Sequence, residues 1–282
     1  MTIYLAGGES RQWLLEKHME IYLAGGINGN LKPKWTEWAK NMKVYLAGNI
    51  GYGEKWNAPI DVALLESFYY IDDTAKAAIP RLKKFILDSG AFTFFTAGKN
   101  VDFESYVERY GEFIKAFDVK LFFELDIDSV VGFDKVLRYR KRLEQITGMQ
   151  PIPVWHISRG KERFIQDAKD YPYVALGGIV SGEWSPAAQK HFPWFINTAH
   201  KYGAKIHGLG YTQLEGLKKN HFDSVDSTAW TTGNRFGYIY KFDGTTMRKI
   251  NLPPGKRLKP REVAQHNFDE WVKFQKYAEV KY

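Results

Sequence analysis

From Met42 onward, short apolar runs alternate with glycine, aspartate and longer amphipathic stretches. Strand candidates are Val44–Ala47, Leu65–Tyr70, Phe85–Leu87, Leu121–Asp126, Ile152–Ile157, Tyr173–Leu176, Lys205–Leu209 and Ser224–Asp226. They are apolar without clean alternation, as strands covered on both faces of a parallel sheet should be. Helical periods fall between most of them. The clearest is Asp102–Phe117, where Phe103, Val107, Tyr110, Ile114 and Phe117 share one face. Eight such strands alternating with helices predict an α/β fold, a (β/α)8 TIM-type barrel.

Two segments break this rhythm. Ile3-Tyr4-Leu5-Ala6-Gly7, Ile21-Tyr22-Leu23-Ala24-Gly25 and Val44-Tyr45-Leu46-Ala47-Gly48 repeat one strand-then-glycine pattern, each starting two residues after a methionine. Residues 1–41 therefore read as a strand-turn-helix repeat extension. Beyond Trp230, Phe236–Phe242 and Thr246–Leu252 flank Asp243-Gly244, a hairpin signal. A basic stretch (Lys256, Arg257, Lys259, Arg261) and a helix from about Arg261 follow. This divides the chain into an extension (1–41), a barrel (42–230) and a C-terminal basic appendage (231–282) that closes the barrel.

At 282 residues with 9 Trp, 17 Tyr and 19 Phe, the chain can build one large core. It contains no cysteine, which excludes disulfides, thiolate catalysis and any cysteine-based zinc site. No apolar run approaches the roughly 20 residues of a membrane span, and the N-terminus lacks a signal-peptide pattern, so a cytoplasmic protein without a membrane partner is expected. The net charge of +8 favours a polyanionic partner, because basic side chains gain affinity by releasing counterions from phosphates. Lys256, Arg257 and Arg261 are the candidate nucleic-acid contacts.

Acidic residues recur where strands end. Asp88 closes Phe-Ile-Leu-Asp, Asp126 closes Phe-Phe-Glu-Leu-Asp, and Asp226 lies in Phe222-Asp223-Ser224-Val225-Asp226-Ser227. Carboxyl ends of barrel strands form the active-site face, so the three side chains are expected to converge there. His156 ends another strand, and Gly177-Gly178 follow a further one. Glycines there permit tight turns or let a flat base approach the backbone.

These residues carry a resemblance. Asp88-Ser89-Gly90-Ala91-Phe92 resembles the Asp-Ser-Gly-Gly-Phe motif of the tRNA-guanine transglycosylases. Leu176-Gly177-Gly178-Ile179-Val180-Ser181-Gly182-Glu183 is similar to their Gly-Gly-Leu-Ala-Val-Gly-Glu segment, and Gly208-Leu209-Gly210 followed by Phe222–Ser227 looks like their nucleophile region. The order agrees over about Phe85 to Trp230. The resemblance implies that Asp226 is the nucleophile and Asp88 the proton-transfer group. It implies that Asp126 reads the guanine edge, that Gly177, Gly178 and Ile179 approach the base through their backbone, and that Ser89 and Phe92 line the substrate site. His156 stands where that family has a base-contacting glutamine. The tRNA enzymes carry a cysteine-rich zinc subdomain after the nucleophile, and this chain does not. A short, zinc-independent form looks like the phage DNA-guanine transglycosylases of the DpdA type, whose start resembles Met42–Gly48 and Leu65–Tyr70.

That resemblance implies a glycosyltransferase that exchanges guanine in DNA for a free 7-deazaguanine base, with no cofactor and no metal. Exchange at C1′ without backbone cleavage requires two displacements through a covalent aspartyl-sugar intermediate, the logic of retaining glycosidases. A tRNA substrate is the nearest alternative. Tyr-Leu-Ala-Gly near an N-terminus also resembles nucleoside deoxyribosyltransferases, and a non-catalytic DNA-binding barrel with structural aspartates is the remaining alternative.

Overall fold

The computed structural model describes residues 41–48, 60–90, 93, 101–211, 213–236, 238–251, 253 and 259–282. The expected repeat extension, apart from residue 41, lies outside them, as do Phe92, Lys256 and Arg257. Seven parallel strands form the main sheet: β1 (Lys43–Ala47), β2 (Ile60–Ser67), β3 (Leu82–Asp88), β4 (Val154–Trp155), β5 (Tyr173–Leu176), β6 (Lys205–Gly208) and β7 (Ser224–Ser227). Their order is β3-β2-β1-β7-β6-β5-β4, so the first strand lies beside the last. Consecutive strands are otherwise neighbours, and the sheet curls so that its edges are β3 and β4.

Between β3 and β4 in sequence runs the segment 121–124. It makes one bridge to each edge, Leu87 with Phe122 and Phe123 with Ile152. The regular eighth strand expected over Leu121–Asp126 is therefore not formed, and among the described residues the sheet has seven ladder strands rather than eight. The reason is local. Pro153 has no N–H for a ladder, and the Val154 N–H goes to the Glu124 side chain at 2.9 Å instead of to a neighbouring carbonyl. A second difference concerns Leu65–Tyr70. The strand begins earlier and ends at Ser67, after which Phe68–Tyr70 turn out of the sheet. Phe68 there packs on Tyr106, Tyr110 and Phe113.

The two faces of the sheet bury separate apolar clusters. Tyr45, Ala47, Ala63, Leu65, Ile86, Phe123, Ile152, Val154 and Ala175 form the inner one. Val44, Leu46, Leu64, Phe85, Leu87, Phe122, Val174, Leu176, Ile206 and Val225 belong to the outer, helix-covered one. The period of two that assigns each residue to a face follows from the strand pleat.

Among the described residues the longer helices are α1 (Phe103–Ala116), α2 (Phe133–Thr147), α3 (Gly160–Asp170), α4 (Phe192–Lys201), α5 (Ala229–Phe236) and α6 (Pro260–Lys281). In α1, the Asp102 carboxylate caps the first turn by accepting from the Glu104 and Ser105 N–H groups. Val107, Tyr110 and Ile114 are buried as their spacing predicts. The hairpin forms as expected, with β8 (Tyr238–Phe242) antiparallel to β9 (Met247–Asn251).

Helix α6 fixes the outside of β1 and β2. The Gln275 amide donates to the Val44 and Ala63 carbonyls and accepts from the Ala63 N–H, filling the place of missing ladder bonds. Glu279 meets Lys84 near the start of β3. At the other end Phe268 packs on Trp230, whose indole N–H reaches the Ala47 carbonyl at the end of β1. The helix thus runs antiparallel to the strands, with its N-terminus and exposed Arg261 on the side of the strands' carboxyl ends. No helix of the described residues is long and apolar enough to cross a membrane.

Candidate active site

The carboxyl ends of the strands gather the ionisable residues. Asp88 is the last residue of β3, two positions beyond inward-facing Ile86. Its carboxylate accepts from the Gly90 N–H at 3.1 Å. Gly90 takes a positive φ of 71°, and a Cβ there would lie 2.5 Å from the Ser67 hydroxyl, so only glycine lets the chain turn here. Burial pushes the Asp88 carboxyl up to about 7; the charges of Asp126 and Asp226 push the same way, while the Gly90 and Ser89 N–H groups pull it down. Ser89 is buried, and its carbonyl accepts from the Tyr106 hydroxyl.

Asp226 lies in β7 with a side chain 10 % exposed. Its Oδ1 accepts from the Gly210 N–H at 2.7 Å and from His207 Nε2 at 3.1 Å. Both of these donors are on Oδ1, leaving Oδ2 for a reacting atom. Asp223, three residues earlier, is engaged elsewhere, accepting from His200 Nε2 and from the Ile206 N–H, each at 2.8 Å. The two aspartates therefore have different surroundings, as opposite faces of a strand demand.

His156 is held between two carboxylates. Its Nε2 lies 2.8 Å from Asp126 and its Nδ1 2.9 Å from Glu183. Burial works against the charged imidazole, but the hydrogen bonds and charges of Asp126 and Glu183 prevail and raise its pKa to about 10. At neutral pH His156 is thus an imidazolium donating from both nitrogens. Gly177 makes room for this arrangement: a Cβ would lie 2.6 Å from the His156 ring. Gly178, at φ 76°, would place a Cβ 2.4 Å from the Glu183 carboxyl. The Gly177 carbonyl accepts from the Trp184 indole and the Gly178 carbonyl from the Glu183 N–H. Ile179 is half-buried beside them.

Behind Asp126 runs a buried charge network. The Arg159 side chain, 1 % exposed, binds Glu124 at 2.8 Å and Asp128 at 3.0 Å and reaches Asp126 at 3.7 Å. Arg140 joins Glu124 at 2.6 Å to Asp167 at 2.7 Å. Glu124 is held below the usual carboxylate range: burial alone would raise it, but two guanidinium groups outweigh burial. Donor atoms of Asp126, Asp128 and His156 lie within 4.8 Å of one another, the one spacing among the described residues that suits a cation. Arg159 and the doubly donating His156 already supply positive charge there, so a metal would have to displace a proton from His156 first.

The structure thus brings Asp88, Asp126, His156, Gly177, Gly178 and Asp226 to one end of the sheet. Arg261 stands apart from them at the head of α6, and Lys256, Arg257 and Phe92 fall outside the described residues. Four residues with a direct bearing on the site were not singled out from sequence: Glu183, Arg159, Ser224 and His207. Glu183 sits inside the quoted glycine motif. Ser224 and His207 are polar residues at inward positions of apolar strands, which a count of strand period would have exposed. Arg159 carried no such signal. Compared with models of known protein families the chain matches none, and no curated protein matches it.

Proposed function

We propose that the chain is a DNA-guanine transglycosylase, which exchanges guanine in DNA for a 7-deazaguanine base through a covalent aspartyl-sugar intermediate. The observation that carries this is the placement of two carboxyls at one end of the sheet, one of them raised toward neutral pH. Asp88 is held near neutrality, with a pKa of about 7, beside an Asp226 that receives two N–H donors. A carboxyl raised in this way is suited to the acid role, which leaves the attack to the second carboxyl.

Asp226 Oδ2 attacks C1′ as the bond to guanine N9 breaks, and the electron pair left on guanine takes the Asp88 proton. The incoming base then returns a proton from its own N9 to Asp88. Its nitrogen forms the new bond to C1′, and Asp226 leaves as carboxylate. Protons and charges balance over the cycle, and the two inversions give retention. In this reading Asp126, which contacts His156 and Arg159, accepts from the N–H groups of a guanine edge. The target base must leave its stack. Exposed aromatics such as Tyr70 and Phe236 are of the kind that fill such a gap. The net charge of +8 and exposed Arg261 suit the phosphate backbone.

We further propose that the barrel closes as a (β/α)8 fold, with residues 121–124 as the irregular eighth stave. Support comes from the two bridges that join both sheet edges and from the adjacency of β1 and β7. The test of function is release of radiolabelled guanine from DNA and from tRNA in one buffer, with a free 7-deazaguanine base added. Release from DNA alone is expected; release from tRNA alone, or from neither, contradicts the proposal.

A further inference from the structure

On the inner face of the sheet, next to Asp226, lies a line of polar side chains that no step of the exchange has used. His207 of β6 is fully buried, between the rings of Tyr45 and Phe123 at 6.3 and 5.2 Å. Its Nε2 lies 3.1 Å from Asp226, and its Nδ1 lies 2.5 Å from the Ser224 hydroxyl. Ser224 in turn lies 2.5 Å from the Tyr173 hydroxyl. The register of the sheet brings them together: His207 pairs with Ser224 across β6 and β7, and Ser224 and Asp226 are two apart on one strand and so share a face.

We propose that Tyr173, Ser224 and His207 form a one-directional hydrogen-bonded column that holds Asp226 by Oδ1 and so aims Oδ2 at C1′, which makes His207 a positioning residue for the nucleophile. This rests on the reading of Asp226 as the group that bonds to the sugar. Each direction follows from the one before it. An ionised carboxylate only accepts, so His207 Nε2 carries the hydrogen. In this column the ring is neutral, which leaves its lone pair on Nδ1 for the Ser224 hydroxyl to donate to. Ser224, its hydrogen committed, accepts from Tyr173. Burial holds the Tyr173 hydroxyl well above the usual phenol range, so it remains a donor. The order is Tyr173 to Ser224 to His207 to Asp226, with each hydrogen given to a single acceptor.

The consequence is chemical. When Oδ2 bonds to C1′, Oδ1 becomes the ester carbonyl and keeps both donors, the Gly210 N–H and His207. When the incoming base attacks, the C1′–Oδ2 bond breaks and its electron pair returns to a carboxylate already solvated by two fixed N–H groups. Fixed donors of this sort do not have to reorganise as charge develops. The column is thus suited both to aiming the attack and to releasing the enzyme.

Two measurements test this. Nitrogen-15 NMR of the histidine side chains, with His207 assigned by its loss in His207→Gln, should show the Nε2–H tautomer in the wild type at pH 7 and a mixture of tautomers in Ser224→Ala. In single-turnover reactions with guanine-containing DNA, Ser224→Ala should form the covalent adduct about 10- to 100-fold more slowly, the loss expected of a disturbed charge-assisted hydrogen bond. Its DNA affinity should not change. His207→Gln, which keeps an N–H donor, should retain more rate than His207→Leu. An Nδ1–H tautomer or an imidazolium in the wild type, or a wild-type adduct rate in Ser224→Ala, overturns the column. A wild-type protein that forms no adduct at all overturns the nucleophile assignment instead, and the tautomer measurement reads the column independently of it.

Discussion

Replacing Asp88 by asparagine should stabilise the protein, and by an amount that depends on pH. Asp88 rises from the usual 3.8 to about 7 in the folded chain, chiefly through burial. A tenfold change in proton affinity is worth about 1.4 kcal/mol, so ionised Asp88 destabilises the fold by at most about 4 kcal/mol. Between pH 4 and pH 7 the folded chain binds the proton that the unfolded chain has already released. Wild-type stability contributed by this group therefore falls as pH rises through that window and levels off above it. Asparagine has no proton to lose. The stability of Asp88→Asn relative to wild type should climb by up to about 1.4 kcal/mol for each step of one in pH between pH 4 and 7, then stay flat. Urea unfolding of both proteins at pH 5, 6, 7 and 8 measures this difference directly, because other groups titrating alike in both cancel. The same variant should lose base exchange at every pH. A stability difference that does not change with pH would refute the claim that Asp88 is held near neutrality.

Three further outcomes follow from particular contacts. Gly177→Ala places a methyl 2.6 Å from the His156 ring; it should destabilise the fold by about 1–3 kcal/mol and raise the KM for the free base, and an unchanged KM would separate Gly177 from base binding. Arg140→Met leaves Glu124 and Asp167 with one arginine fewer each in a buried network. A loss of about 3 kcal/mol is expected, at the low end for a broken buried pair because Arg159 still pairs with Glu124 and Arg163 with Asp167, and a urea midpoint within error of wild type would contradict it. Neutralising Lys256, Arg257 and Arg261 together should weaken DNA binding and flatten its salt dependence by up to about three phosphate equivalents; an unchanged slope would place the phosphate contacts elsewhere.

Much of the framework was legible because strands buried on both faces are short, apolar and bounded by turn residues. Tyr173–Leu176 was readable to the residue, and Lys205–Gly208 and Ser224–Ser227 each differ from expectation by one position. The segment 121–126 was not legible as it folds, since its irregularity depends on Pro153 and on the Glu124 carboxylate, which meets the Val154 N–H across 30 residues of chain. The gathering of Asp88, Asp126 and Asp226 was legible from their common place at strand ends. The protonation of His156 was not: its two carboxylate partners lie 30 and 27 residues away, and only the turn at Gly177-Gly178 brings Glu183 to it. The column below Asp226 draws one side chain from each of three strands, a relation that register creates and apolarity conceals.

The most direct measurement is of the intermediate itself. Protein is incubated with guanine-containing DNA and no incoming base, denatured, and its intact mass determined. Wild type should carry a covalently attached DNA strand that has lost one guanine, Asp223→Asn should carry it as well, and Asp226→Asn should not, because its amide lacks the charge needed to attack the sugar. An adduct that persists in Asp226→Asn, or that disappears in Asp223→Asn, would contradict the assignment of Asp226 as the nucleophile.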